Sequence, residues 1–175
     1  MKLLEELNIS TDNEELYLTA LTHTSYANEH GCESYERLEF LGDAVLELVI
    51  SNYLYNNTKY EEGKMTKLRS YYVCENALYE YSISLGLNEY LRLGNGETYS
   101  GGKYRKTIVA DIFEAFIGAM FLDKGFDYVK EFINKHIVRY VPKTLRGVGV
   151  SDDRKHRLGK QCCKYRRKSY YKPRV

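Results

Sequence analysis

Between Tyr35 and Tyr55 the chain reads YERLEFLGDAVLELVISNYLY, and its apolar and acidic positions recur at helical rather than strand spacing. At 100° per residue, Glu36, Glu39, Asp43 and Glu47 fall within about 80° of one another, because steps of three and four return to one face. Leu38, Leu41, Val45, Leu48 and Val49 point the other way. The spacing predicts an amphipathic helix packed on a core, with negative charge concentrated opposite. Carboxylates at i,i+4 repel by a few tenths of a kcal/mol per pair, or roughly 0.2–0.5. Some offset is needed, and a divalent cation is the leading candidate.

The same reading of period predicts short helices over residues 2–8 and 13–22. It makes LTHTSYANEHG a polar loop leading into the acidic helix, and Met65–Leu85 one helix capped by Gly86. Residues 91–106, LRLGNGETYSGGKYRK, are expected to be a long flexible loop. Helices resume over Thr107–Leu122 and Phe126–Tyr140. No stretch alternates convincingly as a strand, so the fold class is all-α.

A second acidic face lies in the helix from Thr107. Asp111 and Glu114 sit three residues apart inside the frame Ile108, Ile112, Phe113, Phe116 and Ile117. Carboxylates in so apolar a helix are costly to bury unless paired or ligated. If the two helices pack side by side, Glu39, Asp43, Asp111 and Glu114 converge as an all-oxygen cage suited to Mg²⁺ or Mn²⁺ rather than zinc. Spacing leaves the other account open, in which both stripes are solvated faces.

Charge divides the chain. Of its 175 residues, 151–175 hold ten Lys or Arg against two Asp, a balance of +8. Residues 1–150, with 16 basic and 22 acidic residues, stand at −6. An acidic body of residues 1–141 is therefore expected to precede a basic, disordered tail, 142–175, of a kind that seeks nucleic acid. The four cysteines, Cys32, Cys74, Cys162 and Cys163, match neither zinc nor disulfide spacing and are expected to be reduced thiols. Acids in the first ten residues argue against a signal peptide, and the longest apolar run is too short to span a bilayer, so no membrane association and a cytoplasmic location are expected.

ERLEFLGDAVL at 36–46, GGKYRKTIVADIFEAFIGAMFLD at 101–123 and LTHTSYAN at 21–28 resemble, in order, the endonuclease domain of the ribonuclease III family. The resemblance covers about residues 1–140. It implies an all-helical domain acting as a homodimer on double-stranded RNA, with Mg²⁺ as cofactor and Mn²⁺ able to substitute. It implies that Glu39, Asp111 and Glu114 bind the metal and that Asp43 and Glu114 are catalytic. The cut it implies leaves 5′-phosphate and 3′-hydroxyl ends with short 3′ overhangs, in rRNA and mRNA processing. Phe40, beside the acids, is the implied dimer contact, with Ile50 expected to join it. Glu36 and Glu47 are read as structural or interface residues. His23 is read as fixing a loop or helix end, and Lys103, Arg105 and Lys106 are candidate RNA contacts.

Bacterial members carry a double-stranded RNA-binding domain after the nuclease domain, and its pattern is not traceable in the residues after Pro142. This keeps an alternative in play, a non-catalytic RNA-binding or structural protein on the same fold.

Overall fold

Residues 1–137 are described in the structure, a computed structural model. Among them are eight α-helices: α1 (Lys2–Glu6), α2 (Glu14–Ala20), α3 (Thr24–His30), α4 (Glu36–Asn57), α5 (Glu62–Tyr72), α6 (Glu75–Ser84), α7 (Asn95–Tyr99) and α8 (Lys106–His136). Single 3₁₀ turns occupy Leu87–Tyr90 and Gly102–Tyr104. No strand occurs among the described residues beyond one bridge between Thr22 and Arg92, so the fold is all-α as expected. The expected boundary after 141, the end of the last helix at Tyr140 and the basic tail 142–175 lie outside the described residues.

The centre of the fold is α8. Every residue from Ile112 to Met120 is buried, as befits a helix apolar on all sides. Helix α4 packs along one flank, with α2 and α6 against the others. Aromatic rings close the core, with Tyr17 5.4 Å from Phe116 and Tyr81 5.6 Å from Phe113. The Tyr17 hydroxyl donates to Asp123 Oδ2 at 2.9 Å, which satisfies a polar group at full burial.

Five expectations need correction. LTHTSYANEHG is not a loop, because most of it forms α3: His23 Nδ1 accepts from the Ser25 N–H at 3.1 Å and Gly31 closes the other end at φ 66°. The Thr, Ser and His of this run are helix-entry residues, and His23 fixes a helix end as read. Met65–Leu85 is not one helix but two, broken at Val73 and Cys74. Because Tyr72 and Val73 are themselves buried, the apolar pattern runs through the break without marking it.

Nor are residues 91–106 a loose loop. Glu29 of α3 accepts from the Asn95 N–H at 2.8 Å and from its side-chain amide at 2.9 Å, capping α7, and Arg105 pairs with Glu97 at 2.7 Å. Leu48, expected in the core, is 57% exposed. Ile50, expected at a dimer contact, is fully buried in the chain's own core. Other expectations stand: Gly86 adopts φ 71° after α6, and α8 breaks at Gly125, φ 79°, between the two stretches expected to be helical. No helix among the described residues is long and apolar enough to cross a membrane.

Candidate active site

Two glycines set how closely the acidic faces meet. A Cβ on Gly42 would stand 1.7 Å from the carbonyl oxygen of Glu114, and one on Gly118 would stand 2.2 Å from that of Leu38. Helices α4 and α8 therefore cross in backbone contact, which no residue with a side chain permits at either position. Asp43 follows the first of these glycines, Glu39 lies one turn before it, and Glu114 and Asp111 precede the second by one and two turns. Reading by period had passed over both glycines. A glycine inside a long helix, about 1 kcal/mol worse than alanine, was the available signal.

Glu39 and Asp111 line a common cleft of about 1050 Å³, together with Tyr35, Glu36, His23 and Phe40. Burial pushes the Glu39 carboxyl up to about 7, helped by the negative charges of Asp111, Glu36 and Asp43. Burial likewise raises Asp111 to about 6, against a lowering hydrogen bond from Tyr35, whose hydroxyl donates to Oδ2 at 3.4 Å. The negative charge of Asp111 thus adds to the burial that keeps Glu39 protonated. Tyr35, buried beside these carboxylates, is held far above the ordinary tyrosine range and stays a donor.

The other two acids differ. Asp43 is half-buried on the same face of α4, near enough to act on Glu39. Glu114 is only 9% exposed, with its backbone at the helix crossing. Among the described residues, no three His, Cys, Asp or Glu side chains converge tightly enough to hold a metal ion as they stand. The backbone brings the acids to one crossing, and the side chains stop short of a closed ligand ring. No ion pair with Lys, Arg or His forms at Glu39 or Asp111 among the described residues.

Phe40 projects into solvent at 73% exposure. With exposed Ala44 and Leu48 it forms an apolar stripe on α4 beside the acids. The candidate RNA contacts are partly engaged. Lys103 pairs with Glu89 at 2.7 Å, Arg105 with Glu97 at 2.7 Å, and Lys106 lies 5.8 Å from the centre of the Tyr79 ring. Cys32 and Cys74 are both free thiols.

A sequence model of the family described as Ribonuclease-III-like matches residues 13–141. Ribonuclease 3 of Oceanobacillus iheyensis is 52% identical over 147 residues, covering 82% of this chain and 63% of that protein. Ribonuclease 3 of Clostridium beijerinckii is 45% identical, covering 85% and 65%. The chain thus spans just under two thirds of the length of these relatives. Among solved structures, the nuclease domain of ribonuclease III from Campylobacter jejuni, described as flexible in the region involved in dimer formation, superposes with a TM-score of 0.74 at 37% identity. It covers 81% of this chain and 97% of that one. Dicer from Pichia stipitis gives a TM-score of 0.55 at 30% identity, covering 77% and 57%. A match that takes in both acidic faces and the helix crossing between them makes this chain a member of the ribonuclease III-like family.

Proposed function

We propose that the chain is a metal-dependent endoribonuclease that hydrolyses double-stranded RNA, leaving 5′-phosphate and 3′-hydroxyl ends with short 3′ overhangs. The observation that carries this reading is the pair of acidic faces, Glu39 and Asp43 on α4 and Asp111 and Glu114 on α8, drawn together where Gly42 and Gly118 cross. Processing of rRNA and mRNA in the cytoplasm is the role that fits such an activity.

The donor set fits Mg²⁺ or Mn²⁺: it is all oxygen, anionic and partly buried. The fit also has an energetic basis, because burial, reinforced at Glu39 by the charges of Asp111, Glu36 and Asp43, holds protons on Glu39 and Asp111 toward neutral pH, and a cation would relieve that cost. In this reading Glu39, Asp111 and Glu114 bind the metal, and Asp43 and Glu114 act in catalysis. A carboxylate-held Mg²⁺ supplies charge neutralisation at the phosphoryl oxygens and lowers the pKa of water. Glu39 and Asp111 give up their carboxyl protons on loading. Glu114 is rooted at the crossing, where its backbone carbonyl meets Gly42 of α4. Phe40, Ala44 and Leu48 offer an apolar stripe for a second copy, so that two sites related by a twofold cut opposite strands. Lys103, Arg105 and Lys106 contact phosphates, and the basic residues of 142–175 add sequence-independent attraction.

The test is a long RNA duplex incubated with the protein in Mg²⁺ and in EDTA, beside Asp43→Asn and Glu114→Gln. Cleavage in Mg²⁺ alone, lost in both variants, is expected. Duplex that is bound but left whole in Mg²⁺ would instead identify a non-catalytic RNA-binding protein.

A further inference from the structure

Tyr35 is 4% exposed, yet its phenol oxygen lies beside the candidate site, donating to Asp111 Oδ2 at 3.4 Å. A buried hydroxyl left unpaired costs on the order of 1–3 kcal/mol, so burial itself holds this oxygen on its acceptor. The rest of the residue is fixed as well. Its N–H donates to the Thr22 carbonyl at 2.9 Å, and its own carbonyl accepts from the Glu39 N–H at 2.9 Å. The His23 ring stands tilted against the phenol, 5.7 Å between centres. One residue at the entry to α4 is thus held by its backbone to Thr22 and Glu39 while its side chain reaches the carboxylate of Asp111 on α8.

The Cβ–Cγ torsion of an aspartate is broad and roughly two-fold, so an unsupported carboxylate samples many orientations. A donor on one oxygen removes that freedom and leaves the other oxygen for a different partner. Building on the metal-dependent reading above, we propose that Tyr35 is a positioning residue: its hydroxyl orients the Asp111 carboxylate to receive the divalent cation. Outer-shell donors to metal ligands act in this way, and their loss typically weakens metal affinity 10–100-fold.

The experiment is Mn²⁺ binding to purified protein without RNA, read by electron paramagnetic resonance as loss of the free-ion signal. Tyr35→Phe keeps the ring and its packing on His23 and removes only the donor. Its Mn²⁺ Kd is expected to rise about tenfold, at the low end of that range. Its melting temperature in EDTA is expected to stay near wild type while its Mn²⁺-induced rise shrinks. Equal Kd values in wild type and variant overturn the proposal. A wild type that binds no Mn²⁺ overturns the metal-dependent reading itself, and the proposal with it. Should Tyr35→Phe not fold, 4-aminophenylalanine and 4-methylphenylalanine at position 35 make the same comparison. The amine, still a donor, is expected to keep the affinity that the methyl loses, and equal affinities overturn the proposal.

Discussion

Gly42 presents its bare Cα to the carbonyl of Glu114, and a Cβ there would stand 1.7 Å from the oxygen. Neither partner is a flexible side-chain end, so an added methyl group must force α4 and α8 apart. Gly42→Ala is expected to cost about 3 kcal/mol or more, at or beyond the upper end of ordinary overpacking. It is also expected to abolish cleavage by moving Glu39 and Asp43 away from Asp111 and Glu114. Gly118→Ala acts in the same direction. The contrast is Gly63→Ala in α5, where nothing lies within 4 Å. There the gain in helix propensity is expected to stabilise by about 0.5–1 kcal/mol. Urea midpoints for the three variants decide the matter, and a wild-type midpoint for Gly42→Ala refutes the close crossing.

The acids also predict how stability depends on pH. Glu39 and Asp111 are raised from 4.5 to about 7 and from 3.8 to about 6. Unfolded, both ionise near their ordinary values; folded, they keep their protons for two units more. Between about pH 4 and 7 the folded state binds more protons than the unfolded state, so these groups lower stability as pH rises, and the loss is complete above pH 7. Its size is on the order of 1–2 kcal/mol, because both carboxyls keep partial contact with screening solvent. Urea denaturation in EDTA from pH 4.5 to 8 is to be compared between wild type and Glu39→Gln/Asp111→Asn. The difference in stability is expected to change across that window, and adding Mg²⁺ at pH 8 is expected to restore the wild type. A difference independent of pH counts against burial having raised these two carboxyls.

What the chain's periodicity conveyed, and what it withheld, differ for a physical reason. A helical wheel orders residues around one axis and says nothing of which neighbour covers which sector. The four acids were legible because both their spacing and their chemistry are local. Leu48 and Ile50 were not. Hydropathy put Leu48 in the core, and the wheel puts Ile50 at the angle of the acids, yet Leu48 faces solvent and Ile50 is fully buried. The Gly42 and Gly118 contact and the Tyr35 to Asp111 bond join residues some seventy positions apart, and neither partner's local pattern announces the other. The polar segments at 21–31 and 91–106 misled for the opposite reason. Their Ser, Glu and Gly cap short helices against each other, and such capping is indistinguishable from loop composition until both partners are seen.

Phe40 predicts an association. Exposure of 73% for a phenylalanine, continued by Leu48 at 57%, leaves apolar surface that a second copy would cover. Phe40→Ser removes apolar area already in water, so the folded monomer is expected to lose under about 0.5 kcal/mol. Light scattering at micromolar concentration is expected to read a dimer for wild type and a monomer for Phe40→Ser. A variant that remains dimeric moves the interface elsewhere.

The basic residues before α8 differ in what RNA must displace to reach them. Lys103 and Arg105 already hold Glu89 and Glu97 at 2.7 Å, whereas Lys106 lies over the Tyr79 ring without an ion pair among the described residues. A phosphate that takes Lys103 or Arg105 must first displace a carboxylate, and the freed carboxylate then repels the backbone or gathers counterions of its own. Lys106 has no such carboxylate to give up. In an Asp43→Asn background, where the RNA stays intact, Lys106→Ala is therefore expected to reduce the slope of log K against log salt by about 1. Lys103→Ala is expected to reduce it by less, and Glu89→Gln/Glu97→Gln to tighten binding by releasing both cations. Filter binding between 50 and 200 mM salt, roughly the range over which phosphate contacts express themselves, measures all three. Equal reductions for Lys106→Ala and Lys103→Ala, with no tightening in the double variant, would mean that the glutamates do not compete with RNA for these cations.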